Sequence, residues 1–237
     1  MNFESKLISG TLIKRYKRFF VDVKIQNETV TAHCPNTGSM FGLLNPGAKV
    51  WITRSLNPER KLKYTLQIIE QNGKKVGVNT HLTNKIFFES LSKNKITAFH
   101  NIEKIEKEKK YNNKTRFDFM IEKNKKKGFI EVKNVTLSRI KKIAEFPDAV
   151  TSRGSKHLIE LVNASKKGYE IFLVFVVQRE DCDYVKIASD IDIEYSKLLT
   201  TALKDSLEIL CYDCKFSPKG RSEEHTSELQ SPMYLVC

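Results

Sequence analysis

Seven consecutive apolar residues, Ile171-Phe-Leu-Val-Phe-Val-Val177, constrain this chain more than any other stretch. Successive strand side chains point to opposite faces, so a run without a polar member must be covered on both sides. That calls for a central strand between two layers. Residues 83–99 can supply part of one layer: Leu82, Ile86, Phe87, Leu91, Ile96 and Phe99 fall mostly on one stripe, with Thr83 as N-cap. Residues 155–162 read as a short amphipathic helix with Leu158, Leu161 and Val162 inward, and 191–203 as another helix. Residues 207–212 read as a further strand. With a hairpin upstream, the order predicts an α/β or α+β sandwich around a mixed central sheet.

The hairpin is where chemistry concentrates. Residues 116–121 and 129–135 alternate polar with apolar and carry the aromatic and β-branched residues that strands favour. The bridge 122–127 has no apolar residue and leads into Gly128, which suits a turn. Glu131 and Lys133 are two apart and share a face, while Val132 points away. Pairing the hairpin brings Asp118 beside Glu131. Two carboxylates on rigid strands can hold Mg²⁺ (or Mn²⁺), a hard oxygen-seeking cation. A metal lowers the pKa of water and polarises a phosphodiester oxygen, and Lys133 can orient the water or neutralise developing charge. Taken alone, the triplet describes a surface ion pair more readily than a metal site.

Residues 1–80 read as short strands at 7–16, 19–25, 29–33, 49–54 and 64–70, separated by Asn, Pro and Gly turn signals. That spacing predicts a small OB-like β-barrel. Arg15, Tyr16, Lys17 and Arg18 precede Phe19-Phe20, which suits a nucleic-acid backbone with stacked bases. An exposed strand with its aromatics turned inward fits as well. In the polar loop 33–40, the amides and hydroxyls around His33, Asn36 and Thr37 can cradle a phosphate. The loop lacks a P-loop's lysine and following helix, so it is not a nucleoside-triphosphate site. His33 has only Cys34 nearby, too few ligands for a metal. Residues 101–111 are dense in Lys and Glu and read as a solvated face. Even so, Glu108 lies ten residues before Asp118 and can approach the same metal. Arg153, Lys156 and His157 sit near a helix start, where dipole and cations attract phosphate. His157 fits either a general acid or an ordinary hydrogen-bonded histidine.

The net charge of +13 points to a polyanionic partner, against a background of Lys-, Asn- and Ile-rich composition. No run of about eighteen apolar residues exists to span a membrane. No hydrophobic signal region follows Met1, so the expected address is cytoplasmic. The five cysteines are scattered, and the lone Cys211-Tyr-Asp-Cys214 has no second pair, so reduced structural thiols are expected.

Several stretches together resemble the sugar fermentation stimulation protein (SfsA) family. They are Arg15-Tyr-Lys-Arg-Phe19, His33-Cys-Pro-Asn-Thr-Gly38, Val78-Asn-Thr80, Arg116-x-Asp-Phe119, Ile130-Glu-Val-Lys133, Phe146-Pro-Asp-Ala-Val-Thr151 and Arg153-Gly-x-Lys-His-Leu158, in the family's order, across roughly residues 3–216. The resemblance implies an N-terminal OB-like domain (1–80) and a PD-(D/E)XK nuclease-like domain (81–220). It also implies binding of DNA, with RNA not excluded, without sequence specificity, and a bacterial role in regulating sugar metabolism. By that pattern Asp118, Glu131 and Lys133 take the nuclease motif positions. Glu108 is the additional acid, with Glu106 as its neighbouring substitute. A catalytically silent DNA-binding regulator that keeps the nuclease fold is the alternative.

After Gly220 the character changes. Residues 221–237 contain one Arg and three Glu, a charge of −2, so residues 1–220 carry +15. This lysine-free segment reads as a non-native, adapter-derived tail. It is expected to pack poorly and to leave the sheet without its last strand.

Overall fold

The computed structural model describes the backbone of residues 1–218, 225–232 and 234–236, and side chains up to residue 216. Strands β1 (Leu7–Tyr16), β2 (Phe20–Ile25), β3 (Glu28–His33), β4 (Lys49–Arg54), β5 (Tyr64–Gln71) and β6 (Lys74–Gly77) make the first sheet, in the order β3-β2-β1-β4-β5-β6. A short parallel pairing of β3 with β5, Ala32 to Tyr64 and His33 to Thr65, closes β1–β5 into a barrel. Alternation fills it: Val21 and Val23 on β2, Val50 and Ile52 on β4, and Leu66 and Ile69 on β5 are buried together. The β1–β2 turn places Lys17 (φ 47°) and Arg18 (φ 61°) in the left-handed region, as a tight hairpin with matching twist demands.

The second unit contains α1 (Thr83–Ser92), β7 (Lys104–Lys110), β8 (Arg116–Lys123), β9 (Lys126–Val135), β10 (Leu137–Ile140), β11 (Lys142–Phe146), α2 (Ser152–Ser165), β12 (Glu170–Val177), β13 (Cys182–Ile187), α3 (Ile193–Lys204) and β14 (Leu207–Pro218). Two strands follow, β15 (His225–Pro232) and β16 (Tyr234–Val236). The central sheet runs β15-β14-β12-β9-β8-β7, parallel in the middle and antiparallel at both margins. The apolar run 171–177 lies on β12, at its heart. Ile171, Leu173, Phe175 and Val177 pack with residues of α2 and α3, whereas Phe172, Val174 and Val176 pack with α1 and with Leu7 and Ile68 of the barrel. The uninterrupted hydrophobicity is therefore a consequence of double coverage. Fully burying each such side chain contributes about 1.5–3 kcal/mol. A smaller sheet, β10-β11-β13-β16, lies beside this unit.

Several sequence expectations are corrected. The helix expected over 83–99 stops at Ser92. Asn94 takes φ 53°, and only a 3-10 turn, Thr97–Phe99, follows. The turn expected over 122–127 is confined to Asn124 and Lys125, because Glu122 and Lys123 still pair with Lys127 and Lys126. Part of the charged run 101–111 is the edge strand β7. Lysine on an exposed edge deters pairing with another chain. The strand expected at 207–212 reaches Pro218, and the sheet does not end there. The backbone of β15 pairs antiparallel with β14, and that of β16 runs parallel to β13.

The two units are fastened by direct bonds. The Gly77 amide donates to the Gln178 carbonyl at 2.8 Å, and Lys75 Nζ to the Phe216 carbonyl at 2.8 Å. Arg179, 2% exposed, donates to both oxygens of Asp181, to the Thr136 carbonyl and, across the junction, to Gln71 Oε1.

Candidate active site

The β8–β9 ladder runs from Lys123 opposite Lys126 to Phe119 opposite Ile130 and stops there. At the stop, Asp118 turns its carboxylate toward the neighbouring strand. The Val132 amide donates to Asp118 Oδ2 at 2.8 Å, and the Asn84 side chain of α1 donates to Oδ1 at 2.7 Å. Glu131 is 3% exposed. Its Oε1 meets Lys133 Nζ at 2.7 Å and His157 Nδ1 on α2, while its buried Oε2 has no hydrogen-bond partner among the described residues. The hydroxyl of Tyr195 on α3 is likewise buried without a partner.

Environment splits the two carboxylates. Burial, and then the charge of Glu131, raise the Asp118 pKa to about 6. The Val132 amide, Asn84 and Lys133 oppose the rise without cancelling it. Burial also pushes Glu131 upward, but Lys133 and His157 outweigh it and hold the group below the usual carboxylate range. Glu131 is therefore the settled anion, and Asp118 the one that resists charging beside it.

The donor set is oxygen-rich, and one buried carboxylate oxygen is unsatisfied. Both features fit a hard divalent cation, which supplies what an orphaned carboxylate oxygen lacks. Glu108 lies across from Asp118, between the pairs Lys107–Phe119 and Lys109–Phe117. Its side chain is exposed and meets Arg116 at 3.7 Å. Among the described residues, no three His, Cys, Asp or Glu side chains converge closely enough to hold a metal. Glu106 is engaged by Lys104 at 3.0 Å and Lys109 at 2.6 Å.

The other predicted residues separate into groups. Arg15 donates to the carbonyls of Arg18, Asn36 and Gly38 at 2.9, 2.8 and 3.1 Å, so its guanidinium organises the loop 34–40. Asn36 is buried and its Oδ1 accepts from the Gly38 amide. Gly38 is closely approached: a Cβ there would lie 2.1 Å from Asp148 Oδ2, so that side chain would have to shift. Tyr16 stacks on Phe20, and its hydroxyl meets Asp22 at 3.2 Å. Lys17, Arg18, Thr37 and Arg153 are exposed, and Lys156 reaches the Lys114 carbonyl at 2.8 Å. His157 is buried against Glu131. His33 lines a cavity of about 740 Å³ at the junction, together with His81, Asn84, Glu108 and Asp118.

Asn84, His81 and Tyr195 carried no sequence signal. Each matters through a contact with a distant segment, as with the 34 positions between Asn84 and Asp118. Cys211 and Cys214 form no disulfide among the described residues and are buried on opposite faces of the sheet. A spacing of three on a strand cannot direct two thiols at one ion.

A barrel fastened to a mixed-sheet α+β unit, with a buried carboxylate pair beside a lysine, defines the class. Residues 13–78 match the profile described as "SfsA N-terminal OB domain", and residues 81–220 that described as "Sugar fermentation stimulation protein RE domain". The chain belongs to the sugar fermentation stimulation protein family. It is 55% identical over 219 residues to the sugar fermentation stimulation protein homolog of Pelagibacter ubique, covering 92% of this chain and 94% of that one. The Maricaulis maris homolog is 44% identical over 220 residues, with the same coverage. Among solved structures, "The structure of Pyrococcus Furiosus SfsA in complex with Ca2+" superposes with a TM-score of 0.87 at 24% identity, covering 100% of this chain and 98% of that one. No helix among the described residues is long and apolar enough to cross a membrane.

Proposed function

We propose that this chain binds DNA without sequence specificity, and that its second unit is a PD-(D/E)XK nuclease-like domain with a Mg²⁺- or Mn²⁺-dependent phosphodiesterase site. The observation that carries this reading is the buried, unpartnered Oε2 of Glu131, with Asp118 close enough for the two charges to interact. Asp118 and Glu131 would hold the ion. The Pyrococcus furiosus protein was solved in complex with Ca²⁺, which supports an oxygen-ligated divalent cation here. Such an ion supplies charge that stabilises a phosphoryl oxygen and lowers the pKa of water.

The chain's own groups do the rest. Asn84 and the Val132 amide fix the Asp118 carboxylate. His157 and Lys133 anchor one oxygen of Glu131 and leave the other open. The Lys133 ammonium can hold a water or offset the charge that builds on a pentacoordinate phosphorus. The +13 net charge supports a nucleic-acid partner bound through its phosphates. By family, the physiological setting is regulation of sugar metabolism.

A second reading, a silent DNA-binding regulator, draws on the side chain of Glu108, which pairs with Arg116 rather than completing a triad. Cleavage of labelled DNA and RNA by the full chain with Mg²⁺ or Mn²⁺, beside Asp118→Ala and Lys133→Ala, decides between them. Metal-dependent cleavage lost in both variants is expected. Salt-sensitive binding with no cleavage by any of the three proteins overturns the nuclease reading in favour of the regulator.

A further inference from the structure

The cavity at the junction has two chemically different ends. One holds Asp118, Asn84 and Glu108; the other holds His33, Arg60 and His81. The rings of His33 and His81 lie 6.4 Å apart. Burial, then Arg60 and His81, lower the His33 pKa, which places the Arg60 charge beside the imidazole pair. The acids that share the cavity are engaged elsewhere: Glu4 with Lys85, Glu89 with Lys93 and Glu108 with Arg116. Among the described residues no ion pair engages His33, Arg60 or His81. A guanidinium without a counter-ion, beside two imidazoles that can donate N–H bonds, favours an anion.

This end is also built with care. Asn79, Gln67 and Thr53 are buried and form a relay, Asn79 Nδ2 to Gln67 Oε1 at 2.8 Å and Gln67 Nε2 to Thr53 Oγ1 at 2.7 Å. Asn79 Oδ1 then accepts from the His81 amide at 3.1 Å. Thr80 Oγ1 donates to the Pro35 carbonyl at 2.8 Å, tying the His33 loop to the same turn. His81 and His33, from different units, are thereby held at one place.

We propose that His33, His81 and Arg60 form a phosphate subsite at the junction of the two units, and that the cavity admits an unpaired nucleic-acid strand running on toward Asp118. The inference rests on the nucleic-acid reading above and adds the form of the substrate. Size carries that step. A cavity of about 740 Å³ falls in the range of pockets that enclose one small ligand, which suits an unstacked nucleotide rather than two paired strands. The barrel thus supplies one wall of the catalytic cleft, beyond any general electrostatic grip.

The test is binding rather than turnover. A short labelled oligothymidylate and a blunt duplex are titrated, in EDTA, against the full chain and against His81→Asn and Arg60→Gln. His81 is exposed, so its replacement leaves the fold intact. Each variant is expected to lose about tenfold in single-strand affinity. For Arg60→Gln, which removes a full charge, the log–log salt slope should fall by about 0.7. Duplex affinity should stay within about twofold, since the duplex is held by phosphate contacts elsewhere. Variants that bind the oligonucleotide as the parent does, or that lose duplex affinity equally, overturn the subsite and leave the DNA-binding reading standing. A parent chain that binds neither probe overturns both. Subsite-dependent binding without cleavage sustains the subsite and removes only the nuclease.

Discussion

Asp118 accepts the Val132 amide hydrogen at 2.8 Å, at the point where the β8–β9 ladder ends. A side-chain carboxylate does there what a backbone carbonyl does along the rest of the hairpin. The strands can part without stranding a buried amide, and the parting opens the floor of the site. The same carboxylate is held by Asn84 from α1, so the helix that covers one face of the sheet also orients the acid. A structural role and the proposed chemical one coincide in one residue, which makes its removal ambiguous unless pH is varied.

Asp118→Asn resolves that ambiguity. Asparagine keeps an oxygen for the Val132 amide and cannot ionise. The folded chain raises the Asp118 pKa from 3.8 to about 6. A raised pKa means that the stabilising influence of this group is complete below about pH 4 and is lost as pH rises through 6. Two pKa units correspond to about 3 kcal/mol. The stability difference, variant minus parent, should therefore be more favourable at pH 8 than at pH 4 by up to about 3 kcal/mol. Urea midpoints in EDTA measure it. A difference that is flat between pH 4 and 8 contradicts the shift.

How much of this was legible in the sequence depends on the range of the contact. The 171–177 run predicted double coverage because that constraint is local to one strand, and the two-residue spacing of Glu131 and Lys133 predicted their shared face. Pairing the hairpin placed Asp118 beside Glu131, and the two lie one step beyond the last pair of the ladder. β7 was not legible, since seven residues rich in Lys and Glu have no apolar face to reveal a strand. β10, β11 and β13 were missed because they are short and pair with distant partners. Arg15 misled most. Its basic, aromatic neighbourhood suggests a surface for nucleic acid, yet three carbonyls up to 23 positions away occupy its donors.

That reassignment is testable by comparing Arg15→Ala with Arg18→Ala. Loss of the Arg15 guanidinium leaves the carbonyls of Asn36 and Gly38 without their donor. The expected cost is about 2 kcal/mol of stability, with faster amide exchange across residues 34–40. Arg18 is exposed at the hairpin tip, and its removal should change stability by less than about 0.5 kcal/mol. Equal melting of the two variants would show that the loop does not depend on Arg15.

Arg179 reaches across the junction to Gln71 and is held on its own side by Asp181 and the Thr136 carbonyl. Arg179→Met preserves length and apolar volume but leaves Asp181 without its bidentate partner and the Thr136 carbonyl without its donor. Burial raises the Asp181 pKa and Arg179 more than reverses it, so removing the arginine lets burial prevail. A cost of about 3–5 kcal/mol is expected. It should be accompanied by loss of protection at the Gly77 amide, which bridges to Gln178. Hydrogen exchange reads both. Destabilisation with the Gly77 amide still protected would place the role of Arg179 within the second unit alone.

Glu108 combines an unfavourable backbone with an exposed side chain, and the combination separates fold from function. Its φ of 51° lies in the left-handed region, which costs an ordinary residue about 1–2 kcal/mol. Its ion pair with Arg116 is solvent-exposed on both sides and contributes under about 1 kcal/mol. Strain of this kind persists where a side chain has work to do, and Glu108 faces Asp118 across the strand pair. Glu108→Gly relieves the strain, with about 0.5–1 kcal/mol of that relief offset by the greater freedom of unfolded glycine. Stability should thus be unchanged or raised by up to about 1 kcal/mol. If Glu108 swings from Arg116 to complete the carboxylate set when a divalent ion binds, the same substitution should weaken Mn²⁺ binding at least tenfold by calorimetry. Gained stability with undiminished Mn²⁺ affinity would remove Glu108 from the site and leave Asp118 and Glu131 as its only acids.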